Sequence, residues 1–343
     1  MSVSSPLPEG DRVIEGYFRC PTAFAVLTSA LDRGYVGTVG GHRVEVSLPS
    51  ANGVDMFNTD LQAPTWYYQG HDNSLSERPE LAPFWGRIAI AGPTPQSPPK
   101  AVTVNRFRVV MVTTGDDDHM REVGRQVAEA LTAWWGTVGA WIEVLFGQDL
   151  SRLGSRRAGV FMHEATMWAE LFSLHGHPLP GGAILPVGSG AIDFAIPNFA
   201  PMNSAQFERC IAIAERLGMP RTEWLLIRDA NSLCAGRDYR RAVLDAGLAA
   251  ELTVTQLISD HLRARGHTAS DVERVLSRNR MLGKRCQYWV NECTGTLPHG
   301  FSARLISRRN DATHAGHVPQ EADAQDAIDA ARELVEQAFP IDL

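Results

Sequence analysis

The sequence is short of paired cysteines, of lysine and of long apolar runs, and each shortage removes a class of protein. Cys20, Cys210, Cys234, Cys286 and Cys293 are scattered without a CxxC pair. That excludes the common zinc frameworks and a disulfide scaffold, and predicts a reducing, cytoplasmic compartment. No stretch approaches the ~18 uninterrupted apolar residues of a bilayer span, so no membrane partner is expected. Residues 1–12 lack a basic segment followed by an apolar run, so no secretory signal is expected either. Gly181-Gly182 and Gly188-Ser189-Gly190 have neither a following lysine nor dinucleotide spacing and read as turns, and Ser189 lacks the nucleophile-elbow frame. His163-Glu164 with His175 and His177 offers metal-capable side chains, but the pattern is not HExxH and carries no ligand spacing. No metal or other cofactor is therefore predicted. Internal repeats and low-complexity tracts are also absent, which excludes solenoids.

What is present is unevenly distributed. The net charge is −7, yet between Arg263 and Arg309 ten basic residues face three acids, giving +7 there and −14 elsewhere. Of 32 basic residues only Lys100 and Lys284 are lysine. Arginine offers a planar fork that suits phosphate oxygens. Two readings of the basic stretch stand side by side: a track for phosphates, with Arg278, Arg280, Lys284, Arg285, Arg304 and Arg308 as the RNA-binding cations, or a set of solvated helix faces.

At 343 residues the chain exceeds what one core ordinarily serves, so two domains are predicted. Residues 13–114 read as short strands, with alternation at 43–48 and 102–110 and a proline-rich loop at 93–100. Asp116-Asp117-Asp118 opens a long helix reaching about residue 145, where negative charge meets the positive end of the backbone dipole. Trp134, Trp135 and Trp141 on that helix fit core packing, with a base-stacking platform as the alternative. Strand-like pieces follow at 159–162, 183–187 and 191–196, then a helix at 204–217. After Pro220 no strand signal survives. Helices are predicted at 222–235, 239–266, 271–277, 281–292, 302–313 and 320–339, the last with Pro319 in its first turn. The expected fold class is α+β: a β-rich sensing or regulatory domain over 1–219 with one long helix, then an all-α bundle over 220–343.

Within the bundle, Arg309-Asn310-Asp311-Ala312-Thr313-His314 places an arginine and a histidine five residues apart. Spacing alone is uninformative, since Arg156 and Arg157 precede His163 in a similar way. Context adds more. Stepping by four from Leu305 lands on Arg309, so its guanidinium is predicted to point toward the bundle and to need an anion. Glu251, at the edge of the apolar stripe of the 239–266 helix, is the expected partner. Such a pair fixes the arginine while leaving donors for a phosphate. His314 falls in the last helical turn, where the carbonyl end favours positive charge. Five residues of unbroken helix turn it about 140° from Arg309, so either the helix frays or two chains face each other. His299 and His317 read as loop residues.

This array resembles the HEPN superfamily, in particular its ApeA-like abortive-infection branch. The resemblance rests on the helix bearing Tyr239-Arg240-Arg241-Ala242-Val243-Leu244-Asp245-Ala246 and Ala249-Ala250-Glu251, on Arg309-Asn310 and His314, and on a terminal Ala-rich helix with Glu333-Leu334-Val335. It covers roughly residues 221–340. It implies a homodimer in which Arg309, Asn310 and His314 form a metal-independent ribonuclease site, cutting RNA, transfer RNA included, in anti-phage defence. Residues 1–219 resemble only loosely the β-rich modules joined to such domains, which respond to a phage-derived or cellular trigger. A catalytically silent bundle for dimerisation or sensing, binding nucleic acid or a protein partner, is the alternative.

Overall fold

A computed structural model describes residues 12–55, 58–65, 84–94, 96–154, 200–314 and 318–341, together with the backbone of four short strands between 159 and 195. The expectations on His163-Glu164, His175, His177, His317 and both glycine-rich turns lie outside the described residues.

The architecture is α+β. Strands β1 (Arg12–Leu27), β2 (Gly34–Val39), β3 (His42–Ser47), β4 (Gly86–Ile90) and β5 (Ala101–Thr113) form one antiparallel sheet in the order β1-β5-β3-β2, with β4 also on β5. β5 organises it. One edge pairs with β1 from Thr113 opposite Arg12 to Ala101 opposite Leu27, with a register shift between Arg19 and Phe24. Its other edge is divided between β4 at Ala101–Val104 and β3 at Arg108–Val110. β2 and β3 are joined through Gly40 and Gly41, at φ 60° and 85°, the left-handed pair that a two-residue hairpin requires.

Alternation along β5 sends Phe107, Val109 and Met111 to one face and Arg106 and Arg108 to the other. The apolar face is covered by α1 (Asp117–Phe146) and α2 (Ser204–Leu217). There Phe107 packs 5.2 Å from Trp135, and Phe24 lies 5.0 Å from Trp135 and 5.4 Å from Phe207. Trp135 and Trp141 are thus buried in the core and Trp134 packs against it from a partly buried position on Phe107, while Trp141 Nε1 donates to the Gly218 carbonyl at 2.7 Å. On the opposite face Arg108 donates to Glu15, both almost wholly buried. Four short strands follow α1: β6 (Gly159–Met162), β7 (Met167–Ala169), β8 (Leu185–Val187) and β9 (Ile192–Ala195), paired β6 with β9 and β7 with β8. Sequence reading misses β7.

From residue 222 the described chain is helical: α3 (Thr222–Ala235), α4 (Tyr239–Ala264), α5 (Ala269–Arg278), α6 (Leu282–Asn291), a π-helical segment Ser302–Ser307 that runs into α7 (Arg308–His314), and α8 (Glu321–Ala338). They enclose a second core. α4 lies at its centre, burying Ala242, Val243, Ala246, Ala250, Val254 and Ile258 against α3 and α8. Of the described helices α4 alone has the length and apolarity to cross a bilayer, and most of that stretch is covered inside the bundle. One expectation is refined and one corrected. The helix predicted at 302–313 is present, with its first six residues π-helical, a distinction that a six-residue stretch of apolar spacing does not carry. Pro319 precedes the α8 cap instead of sitting in its first turn: Gln320 is the N-cap, and Asp323 accepts its backbone N–H at 3.2 Å.

Candidate functional site

The site is assembled where α7 crosses α4. Phe301, Leu305 and Ala312 anchor the π-α helix in the second core, and arginines fan out from it to both neighbours. Arg304 reaches Glu333 on α8 at 2.9 Å, and Arg308 reaches Asp323 on α8 at 2.8 Å. Arg309 turns the other way, to α4, where its Nη2 donates to Glu251 Oε2 at 3.0 Å. Arg240 of α4 closes the contact from the opposite direction by donating to the Ala312 carbonyl at 3.0 Å. The crossing of α7 on α4 is therefore held by one ion pair and one backbone acceptor, and two further ion pairs tie the same helical run to α8.

Glu251 serves two cations. Its Oε1 accepts from Arg285 Nη1 on α6 at 3.0 Å, while that same nitrogen donates to Thr255 Oγ1 at 2.8 Å and Arg285 Nε donates to the Asn279 carbonyl at 3.0 Å. Side chains of Arg285, Glu251 and Arg309 are 17%, 20% and 28% exposed, so the pairs are shielded from bulk water without being sealed. One carboxylate between two guanidiniums leaves a net positive charge in a partly desolvated place. An anion that reached it would meet a larger field than on an open surface.

Arg309 lies directly on α4 because Gly247 has no side chain. A Cβ there would stand 2.5 Å from Arg309 Cδ and 2.9 Å from its Nε, closer than packing allows. Asn310 is half-buried and His314 is exposed at the last residue of α7. Within this regular α-helical stretch the two motif ends diverge by about 140°, so one subunit does not bring Arg309 and His314 to a single atom. His299 is an exposed loop residue.

The six expected RNA-binding cations separate into two groups. Arg285, Arg304 and Arg308 are held by Glu251, Glu333 and Asp323. Arg278, Arg280 and Lys284 are exposed. Sequence reasoning missed Arg285 as the second partner of Glu251, Arg240 as a tie to α7, and Gly247 as the seat of Arg309. Only Gly247 left a signal, a glycine four residues before Glu251 in the interior of a helix that would otherwise favour alanine. Among the described residues no cluster of three His, Cys, Asp or Glu is arranged to hold a metal ion. Comparison of the chain with protein-family models, with curated proteins and with solved structures gives no match.

Proposed function

We propose that this chain is a metal-independent endoribonuclease of the HEPN type in bacterial anti-phage defence, with Arg309 holding the phosphate and His314 moving protons. The observation that carries the reading is the seat of Arg309: a guanidinium fixed in direction by Glu251 and Gly247, still partly open, on the same short helix as an exposed imidazole. Glu251 takes its Nη2, which leaves other guanidinium donors for a ligand.

The chemistry follows from what RNA offers. A neutral His314 takes the proton of the ribose 2′-hydroxyl, the oxygen attacks the adjacent phosphorus, the P–O2′ bond forms and the P–O5′ bond breaks. A protonated His314 from a second copy gives its proton to the departing 5′-oxygen. The products are a 2′,3′-cyclic phosphate and a 5′-hydroxyl. Arg309 neutralises charge growing on the non-bridging oxygens, and Asn310 orients the phosphate. Glu251 is a positioning residue, acting through Arg309. The divergence of Arg309 and His314 is the reason for a homodimer, in which one copy's arginine works with the other's histidine. The sheet-bearing part then responds to the trigger, and the cytoplasm supplies the RNA.

A second reading, a silent bundle used for dimerisation or sensing, is favoured by one observation: the Arg285–Glu251–Arg309 network also serves to tie helices together. The two readings part in one experiment. Purified protein incubated with total or transfer RNA in excess EDTA yields fragments ending in cyclic phosphate, and His314→Ala abolishes them. Overexpression arrests growth, and Arg309→Ala relieves the arrest. Intact RNA together with an arrest that survives Arg309→Ala establishes the silent module.

A further inference from the structure

A groove of about 370 Å³ opens between the C-terminal half of α4, α5 and the start of α6. Its floor includes Val272 and Leu276, and its rim carries Arg263, Arg280 and Arg285 against a single acid, Glu273. The three arginines come from different places in the chain. Arg263 is in the last turn of α4, Arg280 is in the turn between α5 and α6, and Arg285 is on α6. Arg263 and Arg280 are exposed, and Arg263 stands 3.9 Å from Asp260, too long for a firm pair. Arg285 is oriented from behind. Its Nε and Nη1 are committed to Asn279, Glu251 and Thr255, so Nη2 is the donor left for a ligand. Through Glu251 the groove is one carboxylate away from Arg309.

We propose that this groove binds a nucleotide of single-stranded RNA beside the scissile one, its phosphates on Arg263, Arg280 and Arg285 and a base face over Val272 and Leu276. The choice of ligand rests on the ribonuclease reading above; the choice of site rests on the groove itself. Charge favours a polyanion: along the rim three cations face one acid, Glu251 lies behind Arg285 shared with Arg309, Asp260 stands 3.9 Å from Arg263, and the exposed Arg278 and Lys284 are neighbours in sequence. Val272 and Leu276 among the lining give a base face something apolar to lie on, and the open side of the groove leaves room for the ribose and its phosphates. Contacts to phosphate and to a base face carry no sequence information, so binding is tolerant of sequence and falls with salt.

Binding is read without cleavage by using a fluorescent single-stranded RNA whose riboses are 2′-O-methylated, which removes the attacking hydroxyl. Anisotropy titrations across a range of salt concentrations compare the wild type with Arg263→Gln/Arg280→Gln and with Arg121→Gln/Arg125→Gln, two exposed arginines on α1. The groove variant loses affinity, and its slope of log affinity against log salt falls by about 1.4, since each single-strand phosphate contact contributes about 0.7. The α1 variant matches the wild type. Circular dichroism checks that both variants are folded. Equal affinity and slope in wild type and groove variant overturn the proposal, as does a wild type that does not bind the RNA. A groove variant that loses binding while the wild type never cuts unmodified RNA leaves the groove standing and removes the ribonuclease reading.

Discussion

Gly247 fixes Arg309 by having nothing to put in its way. Replacing it with alanine acts on stability in two opposed ways and on the site in one. A glycine in a helix interior is disfavoured relative to alanine by about 1 kcal/mol, so the substitution favours α4. The new Cβ would lie 2.5 Å from Arg309 Cδ, which drives the side chain off the helix and away from Glu251. The bond that is lost is worth about 1.5–3 kcal/mol, more than the propensity gained, so Gly247→Ala is expected to melt slightly below the wild type while RNA cleavage drops roughly ten- to a hundred-fold. A melting curve and a cleavage rate on the same preparation check it; undiminished cleavage would show that the seat on α4 is not needed. At this scale the sequence was readable only in part. The step of four from Leu305 indicates that Arg309 faces the bundle, and the carboxylate at the edge of the α4 stripe is the one it meets. The rest was hidden for a physical reason. Arg285 reaches Glu251 across 34 residues and Arg240 donates to a backbone carbonyl 72 residues away, and neither relation leaves a periodicity in the chain.

Helices announced themselves through their ends. Asp116 is the N-cap of α1, its carboxylate accepting from His119 N at 2.9 Å with Asp117 and Asp118 in the first turn. Asp116→Ala removes both the acceptor and a charge at the positive end of the dipole, so the sheet-bearing part is expected to lose about 1 kcal/mol. A lower urea midpoint with an unchanged slope of the unfolding transition is the measurement that shows it. Other ends carry the same chemistry, although the sequence reading did not draw on it and started α5 at 271, two residues late. Asn203 with Gln206, and Thr268 with Asp271, form capping boxes at α2 and α5, and alternation at 43–48 and 102–110 corresponds to β3 and β5. The π-helical segment Ser302–Ser307 left no such mark. Its consequence is nevertheless functional geometry: it delivers Arg304 and Arg308 to α8 and, one residue later, Arg309 to α4. The split edge of β5, shared by β3 and β4, was equally invisible, because pairing partners separated by a long connection are set by tertiary packing and not by local pattern.

The loss of strand signal after Pro220 marks where the first core gives way to the second, but nothing in the chain indicates how the two are joined. Val144 and Ile341 pack against both cores, and polar contacts join the two beside that apolar bridge. Glu143 near the end of α1 accepts the backbone N–H groups of Leu150 and Ser151 at 2.8 and 2.6 Å and stands 3.5 Å from Arg228 of α3. Asp149 accepts from Ser232 Oγ at 2.7 Å, and Ser232 Oγ accepts from Leu153 N at 2.9 Å. Glu143 makes the junction sensitive to pH. Burial pushes its carboxyl above the ordinary value of about 4.3, and the Ser151 N–H and the Arg228 guanidinium offset only part of that. A carboxyl whose pKa is raised on folding binds its proton more tightly in the native state. Its favourable contribution is therefore full below about pH 4.3 and is lost as pH rises through the elevated native value. Glu143→Gln keeps an oxygen for Leu150 and Ser151 but has no proton to lose. The stability difference between the two proteins is thus expected to move in favour of the glutamine variant as pH rises from about 4.3 through the elevated native value, and to stay level above it. Urea midpoints of both proteins across that range read the difference directly, with contributions common to the two cancelling. A difference that stays flat throughout, or moves toward the wild type, would mean that the junction tolerates the charge and that proton uptake at Glu143 does not tune it.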